Sequence, residues 1–380
     1  MKVMLAGSER IAHCRRYIHL LQLAGCEVIF AEQAIIAHRH APHVRYRRYP
    51  LRYRPLEKFV GGRLTHYLHE QLLRRLWRSV KPDIVHLQWV DDRIWRAARA
   101  GLRPLVATAW GSDLNVAAKA APNEASRKRI GTGLRKLDLL IVDSDDMATT
   151  AELLAGSSLN TMLVPIGIDT ELFRPGLHRE RRKWRETLQI NDRATVLISP
   201  RQLGENYRQA EIIKAFAALD PDVGRDCYLI MRTFGDGDGV SLPELHRLAD
   251  ELRVSGKIRW LGEIEYHQLP GLYAASDLAV NYPVMDAFPV TFLECFACGL
   301  PVITNRLGSY HSNGAEPYLS YVNENSIGGL RTSIEEGISE LKNLAIICNK
   351  AREHVVRNYD EKLTARALRQ AYTLVVNKTH

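Results

Sequence analysis

With 380 residues, 46% of them hydrophobic and 25% charged, the chain is too long for one typical domain and has the composition of a soluble globular protein. Its six cysteines, at 14, 26, 227, 295, 298 and 348, are too sparse for a disulfide scaffold and are read as reduced. The net charge of +9 is uneven: Met1–Trp110 holds 20 Lys or Arg against 8 Asp or Glu, a balance of +12 that leaves −3 for the remainder.

The opening MKVMLAGSER reads as a buried first strand, not a secretory signal. No run approaches the roughly 20 apolar residues that span a bilayer, so a cytoplasmic protein is expected. HCRRYIHLLQLAG has apolar residues at helical spacing and ends on Gly25; CEVIF is the next strand. VRYRRYPLRYRP, Val44 to Pro55, holds five Arg and three Tyr. It is either a solvated loop face or a surface for an anionic partner, such as a phosphorylated acceptor or an acidic lipid surface at the inner face of a membrane. Nucleic acid is not expected, since no zinc finger, RNP-type motif or clear helix-turn-helix is visible.

RLTHYLHEQLLRRLWRSV is an amphipathic helix stopped by Pro82, and DIVHLQW, PLVATAW and DLLIVDS are strands. VPIGIDTELFRPG, Val164 to Gly176, is rich in turn formers and marks a join, followed by the charged helix HRERRKWRETL. The second half then alternates strand and helix: ATVLISP, AEIIKAFAAL, CYLIMRTFG, LPELHRLADEL, KIRWLG, LPGLYAAS, DLAVNYP, PVTFLECFAC and PVIT. Strands alternating with helices imply parallel sheets covered on both faces, here two doubly wound α/β domains. Ligands of such sheets bind at the carboxyl ends of the strands, which points to a cleft between the domains.

MDAFPVTFLECFACGLPVI, Met285 to Ile303, carries two acids, Asp286 and Glu294, and a C-x-x-C, Cys295 and Cys298. Pro289 opens a helix that Gly299 closes. The thiols lie at its C-terminal end, where no dipole lowers their pKa, so they read as small core residues. The acids flank a helix start whose free N–H groups suit a diphosphate, with each carboxylate able to accept from paired hydroxyls. A loop Asp and a Glu paired with Arg is the competing reading.

This stretch resembles the signature of the retaining glycosyltransferases of family 4, which have the GT-B fold: two acids eight apart, then a small-residue helix and G-x-P-V-I. WLGEIEYHQLPGLYAASDLAVNYP and PIGIDTELFRP resemble the family's approach to that motif and its interdomain linker, and NYDEKLTARALRQAYTLV fits its final helix. The resemblance implies two Rossmann-like domains facing across a cleft: 1–170 for the acceptor, 171–358 for the donor, and 359–380 crossing back to the first. It implies transfer of a sugar from a nucleotide-diphosphate sugar to a glycan, lipid-linked or other anionic acceptor with retention, in bacterial glycan or glycoconjugate biosynthesis, with no metal or other cofactor.

By match, Glu294 holds the ribose hydroxyls and Asp286, an Asp where Glu is commoner, contacts the donor sugar. Backbone from Ala287 and Phe288 through Val290 and Thr291 faces the diphosphate. Arg201 stands where the family has a phosphate-binding Arg; the family's Lys is missing, Asn206 and Tyr207 stand there, and Arg208 is a substitute. TAWGSD, Thr108 to Asp113, places Trp110 at a family His and resembles a W-G-S-D variant. Asp113 then orients the acceptor hydroxyl, or is simply a helix N-cap. Gly7 and Ser8, after the first strand, face the acceptor; His13 and His86 are candidates by position alone, with core histidine the stronger reading. DGD at 236–238 and DSDD at 143–146 read as turn chemistry. A nucleotide-sugar epimerase on the same fold and a catalytically silent binding subunit stay open as other functions.

Overall fold

The structure is a computed structural model that describes residues 1–7, 12–32, 47–50, 62–111, 113–114, 124–235, 239–286 and 289–379. The chain forms two compact units, Met1–Ile166 together with Glu361–His380, and Gly167–Asp360.

Unit 1 runs β1 (Lys2–Gly7), α1 (Ala12–Leu23), β2 (Glu27–Glu32), β3 (Arg47–Pro50), α2 (Gly62–Val80), β4 (Ile84–Gln88), α3 (Asp92–Arg99), β5 (Leu105–Thr108), α4 (Glu124–Leu134), β6 (Leu139–Val142), α5 (Asp145–Ala155) and β7 (Thr161–Leu163). The strands make one parallel sheet in the order β3-β2-β1-β4-β5-β6-β7. Alternation divides its two faces. Met4 and Ala6 join a core with Leu73 and Ile94, whereas Val3 and Leu5 pack with Tyr17 and Ile18 of α1.

Unit 2 runs α6 (His178–Thr187), β8 (Thr195–Ser199), α7 (Gln209–Ala217), β9 (Cys227–Arg232), α8 (Leu242–Glu251), β10 (Ile258–Leu261), α9 (Leu269–Ala275), β11 (Leu278–Asn281), α10 (Val290–Cys298), β12 (Val302–Thr304), β13 (Leu319–Tyr321), α11 (Ile327–Ser339) and α12 (Leu341–Asn358). Its parallel sheet has the order β10-β9-β8-β11-β12-β13. The last helix, α13 (Glu361–Thr379), belongs to unit 1, where Leu368, Ala371, Tyr372 and Val375 complete the core beside α1.

One polar knot ties unit 2 together at the amino ends of its strands. Arg185 of α6 is fully buried; its guanidinium donates to the carbonyls of Ala275, Asn191, Asp192 and Ala194, and at 2.8 Å to Asp277 Oδ2. Asp277 also accepts from Val196 N at 2.8 Å and from Arg181 at 3.1 Å. A charge taken out of water survives only when fully bonded in this way.

The structure differs from the sequence reading at several elements. Residues 47–50, inside the Arg-rich stretch, form the edge strand β3, paired with Ile29–Glu32, where a solvated loop face was one expectation. β7 and β13 are three-residue strands that carry no clear alternation. α10 begins at Val290, with Pro289 extended as its N-cap; Gly299, at φ 78°, closes it as expected. All six cysteines are buried and outside any disulfide, and Cys295 and Cys298 lie in the core.

Candidate functional site

In unit 2 the strand order reverses between β8 and β11, and the chain leaves these two neighbours in opposite directions. That reversal opens a crevice at their carboxyl ends. Arg201 follows β8 and Asp286 follows β11, and the fold brings them together: Arg201 Nη2 lies 3.2 Å from Asp286 Oδ1. The same nitrogen donates to Tyr207 OH at 2.9 Å, with the guanidinium 4.5 Å from the centroid of that ring. Nη1 donates at 3.2 Å to Thr291 Oγ1, in the first turn of α10. The N-cap, Pro289, offers no side-chain acceptor to the N–H groups of that helix's first turn. Burial works against the Arg201 charge, but Asp286 and Tyr207 outweigh it and hold the group above the ordinary guanidinium range. The result is a permanent, pre-aimed cation at a helix N-terminus, which is what a diphosphate needs.

Glu294, also on α10, is 5% exposed, and its helix neighbours Phe292, Leu293, Cys295 and Phe296 are buried too. Tyr273 OH of α9 donates to Glu294 Oε2 at 2.9 Å. Asn206 shapes the loop before Asp286: its backbone and side chain bond Val284 N, Met285 N and Met285 O at 2.7, 3.0 and 2.8 Å. The two residues at the missing Lys position therefore do separate work, Asn206 on the loop and Tyr207 on Arg201. Arg208, in the left-handed region at φ 50°, donates to Asn325 Oδ1 at 2.8 Å and lies over Tyr282. Ala287 and Phe288 lie outside the described residues. Tyr207, Tyr273 and Asn206 carry no motif of their own and were not legible as site residues.

Unit 1 has its own reversal, between β1 and β4. Gly7 ends β1, and a Cβ there would stand 2.8 Å from Cys14 Sγ and 3.3 Å from Gln88 Cβ, so only glycine fits. Trp89, just after β4, is held at φ 125°, a costly conformation of the kind that clusters at functional sites. Trp110 packs edge-on against Tyr17, ring centroids 6.0 Å apart. Ser8 lies outside the described residues, as does the side chain of His13. His86 is a core histidine: it bonds Tyr372 OH and, at 2.8 Å, Thr108 Oγ1, and burial pushes its pKa down to about 3. Ser144 of the DSDD run caps α5, while 236–238 lie outside the described residues.

Asp113 is 5% exposed, and its carboxylate is committed to backbone. Oδ2 accepts from Val90 N at 2.8 Å; Oδ1 accepts from Trp110 N and Leu114 N, each at 2.9 Å. An acceptor-orienting carboxylate was one expectation; in the structure this one braces the loops after β4 and β5. Burial raises its pKa from 3.8 to about 6 against the pull of the three N–H donors. A raised acid favours the folded state when protonated, so this contribution is complete below about pH 4 and lost as pH rises through about 6. Asp113→Asn does not titrate. In chemical unfolding, wild-type stability relative to that variant should fall by about 2 kcal/mol from pH 4 to pH 7; a constant difference would show no buried titration there.

Residues 2–144 match a family model described as "Glycosyl transferase 4-like", and residues 180–313 one described as "Glycosyl transferases group 1". The fold is that of sucrose-phosphate synthase from Thermosynechococcus elongatus (TM-score 0.76, 18% identity, 100% of both chains) and of Anabaena HepE in complex with UDP and glucose (TM-score 0.77, 17% identity, 98% of this chain and 99% of that one). Each unit thus carries a match to a glycosyltransferase family model, and the fold is shared with these solved structures. Among curated proteins, the D-inositol 3-phosphate glycosyltransferase of Mycobacterium bovis (strain BCG / Pasteur 1173P2) is 29% identical over 237 residues, 60% of this chain and 47% of that one. D-inositol 3-phosphate glycosyltransferase 2 of Catenulispora acidiphila is 27% identical over 244 residues, 62% of this chain and 56% of that one. The chain thus spans about half the length of the curated relatives it matches.

Proposed function

We propose that the chain transfers a sugar from a nucleoside-diphosphate sugar to an acceptor hydroxyl with retention of anomeric configuration. The carrying observation is the Arg201–Asp286 pair, joined at the β8/β11 reversal and anchored to Tyr207 and Thr291. Arg201 and the α10 N–H groups take the diphosphate, Glu294 takes the ribose hydroxyls, and Asp286 takes hydroxyls of the donor sugar. Arg208 adds positive charge to the donor phosphates.

In the reaction, the bond between the anomeric carbon and the diphosphate oxygen breaks as the acceptor oxygen bonds to that carbon from the same face. A phosphate oxygen removes the acceptor proton, and the nucleoside diphosphate leaves with the bonding electron pair. Negative charge grows on the leaving group, where Arg201 and the helix N-terminus oppose it without a metal ion.

The acceptor is read by unit 1 at Gly7, Ser8 and Trp110, while Asp113 braces the loops around them. A balance of +12 over Met1–Trp110 favours a phosphorylated or lipid-linked glycan acceptor, with peripheral contact at the cytoplasmic face of a membrane. The inositol-phosphate glycosyltransferases among the relatives fit an anionic acceptor of this kind. Proton NMR of the product tests the stereochemistry: the glycosidic proton should keep the donor's anomeric coupling, and an inverted coupling would remove the retaining mechanism.

A further inference from the structure

Between β8 and α7 the chain makes one tight helical turn, Glu205–Tyr207, and both neighbours of Tyr207 are pinned. Asn206 is bonded to the backbone of Val284 and Met285, and Arg208 donates to Asn325. The Tyr207 ring, only partly exposed, is thereby held against the Arg201 guanidinium. Its oxygen lies 2.9 Å from Arg201 Nη2 and can only accept there, because a guanidinium offers no lone pair. The phenol proton therefore turns away from the cation, and among the described residues no hydrogen bond uses it. A donor that is fixed in place and unused is prepared for an acceptor that arrives with the ligand.

We propose that Tyr207 is a further catalytic residue of the donor site: its hydroxyl donates to an oxygen of the diphosphate that Arg201 holds. The inference rests on the donor reading of Arg201 given above. Arg201 Nη2 already serves two acceptors, Tyr207 OH and Asp286 Oδ1, so a phosphate must take its N–H bonds from the rest of the guanidinium. The phenol stands beside that same group. One phosphoryl group can then bridge the two, accepting from an N–H with one oxygen and from the phenol with another. Asp286 cannot share this task, since an ionised carboxylate has no proton to give and repels a phosphate. A neutral phenol adds a donor without setting a second cation against Arg201. Its bond to a charged oxygen is of the stronger kind, and it strengthens further as the nucleoside diphosphate gains charge on leaving.

Isothermal titration calorimetry of UDP, GDP, ADP, CDP and dTDP on wild type identifies the nucleotide to use. Tyr207→Phe, which removes one oxygen and keeps the ring against Arg201, should bind that nucleoside diphosphate about tenfold more weakly. Binding of the matching nucleoside without phosphates, followed by ligand-observed NMR, should not change. An unchanged affinity for the diphosphate overturns the inference, and a loss seen only with the nucleotide sugar would assign the hydroxyl to the sugar instead. An equal loss for nucleoside and diphosphate would make the change a general disturbance of the site and overturn it too.

A second comparison separates direct contact from an effect passed through Arg201. Because the neighbours of Tyr207 hold its ring in place, Tyr207→Phe should still weaken diphosphate binding several-fold in an Arg201→Gln background. A loss that vanishes there would make Tyr207 a support for Arg201 alone and overturn direct donation. If wild type binds no nucleoside diphosphate, the donor reading itself fails and this inference with it; if wild type binds one and Tyr207→Phe binds it equally, the inference alone fails.

Discussion

Turnover of an Arg201→Gln variant is expected to fall about 10²–10³-fold, with a smaller change in the KM for the donor. The guanidinium is held before any ligand arrives by Asp286, Tyr207 and Thr291, so little reorganisation is needed as charge develops on the departing diphosphate. An interaction that strengthens as the bond breaks acts on kcat, whereas uniform binding would appear in KM alone. Arg201→Lys should recover only part of the loss, because an ammonium has a single donor nitrogen and cannot span the positions from which Nη1 reaches Thr291 and Nη2 reaches Tyr207 and Asp286. Steady-state kinetics with circular dichroism as a folding control make the measurement. A variant that keeps wild-type kcat would remove Arg201 from the chemistry.

Asp277→Ala should destabilise unit 2 by about 3–5 kcal/mol. The substitution leaves Arg185, which is fully buried, with carbonyl acceptors but without its hydrogen-bonded countercharge, and strips Val196 N of its acceptor. Those carbonyls come from α9, the loop after α6 and the start of β8, so three parts of unit 2 loosen together. Denaturant unfolding monitored by far-ultraviolet circular dichroism reads the loss. A change below about 1 kcal/mol would place the knot among surface ion pairs of little consequence.

The strands legible in the sequence were those buried on both faces. TVLIS and CYLIM are unbroken apolar runs because helices cover each side of their sheet. The edge strands β3 and β7 were not, since β3 hides among arginines and β7 is half exposed, although the edge strand β10 was legible in KIRWLG. α4 was missed because its sequence, EASRKRIGTGL, carries two glycines and a broken apolar pattern.

In the candidate site, Asp286 and Glu294 were picked out because two acids eight positions apart, before a small-residue helix, resemble a family signature; the spacing alone left a competing reading open. Arg201 was picked out by the same resemblance, but its contact with Asp286 was not legible. Arg201 and Asp286 are separated by 85 residues and meet only because β8 and β11 are neighbours. The Asp113 loop was ambiguous for the same reason: its third donor, Val90, comes from a different strand's exit. Tyr273 sits in a helix whose pattern reads as ordinary core, and no local rule separates it from the aromatic residues around it.

The most direct measurement is thermal stability against a panel of nucleoside diphosphates and nucleotide sugars, on wild type and on Glu294→Gln. A ligand at about 100 times its dissociation constant adds about 2.7 kcal/mol to the native state. The account predicts that one nucleotide class raises the melting temperature of the wild type and that this shift is lost or much reduced in Glu294→Gln. Stabilisation that is equal in both proteins, or absent from both, would contradict a nucleotide donor held by Glu294.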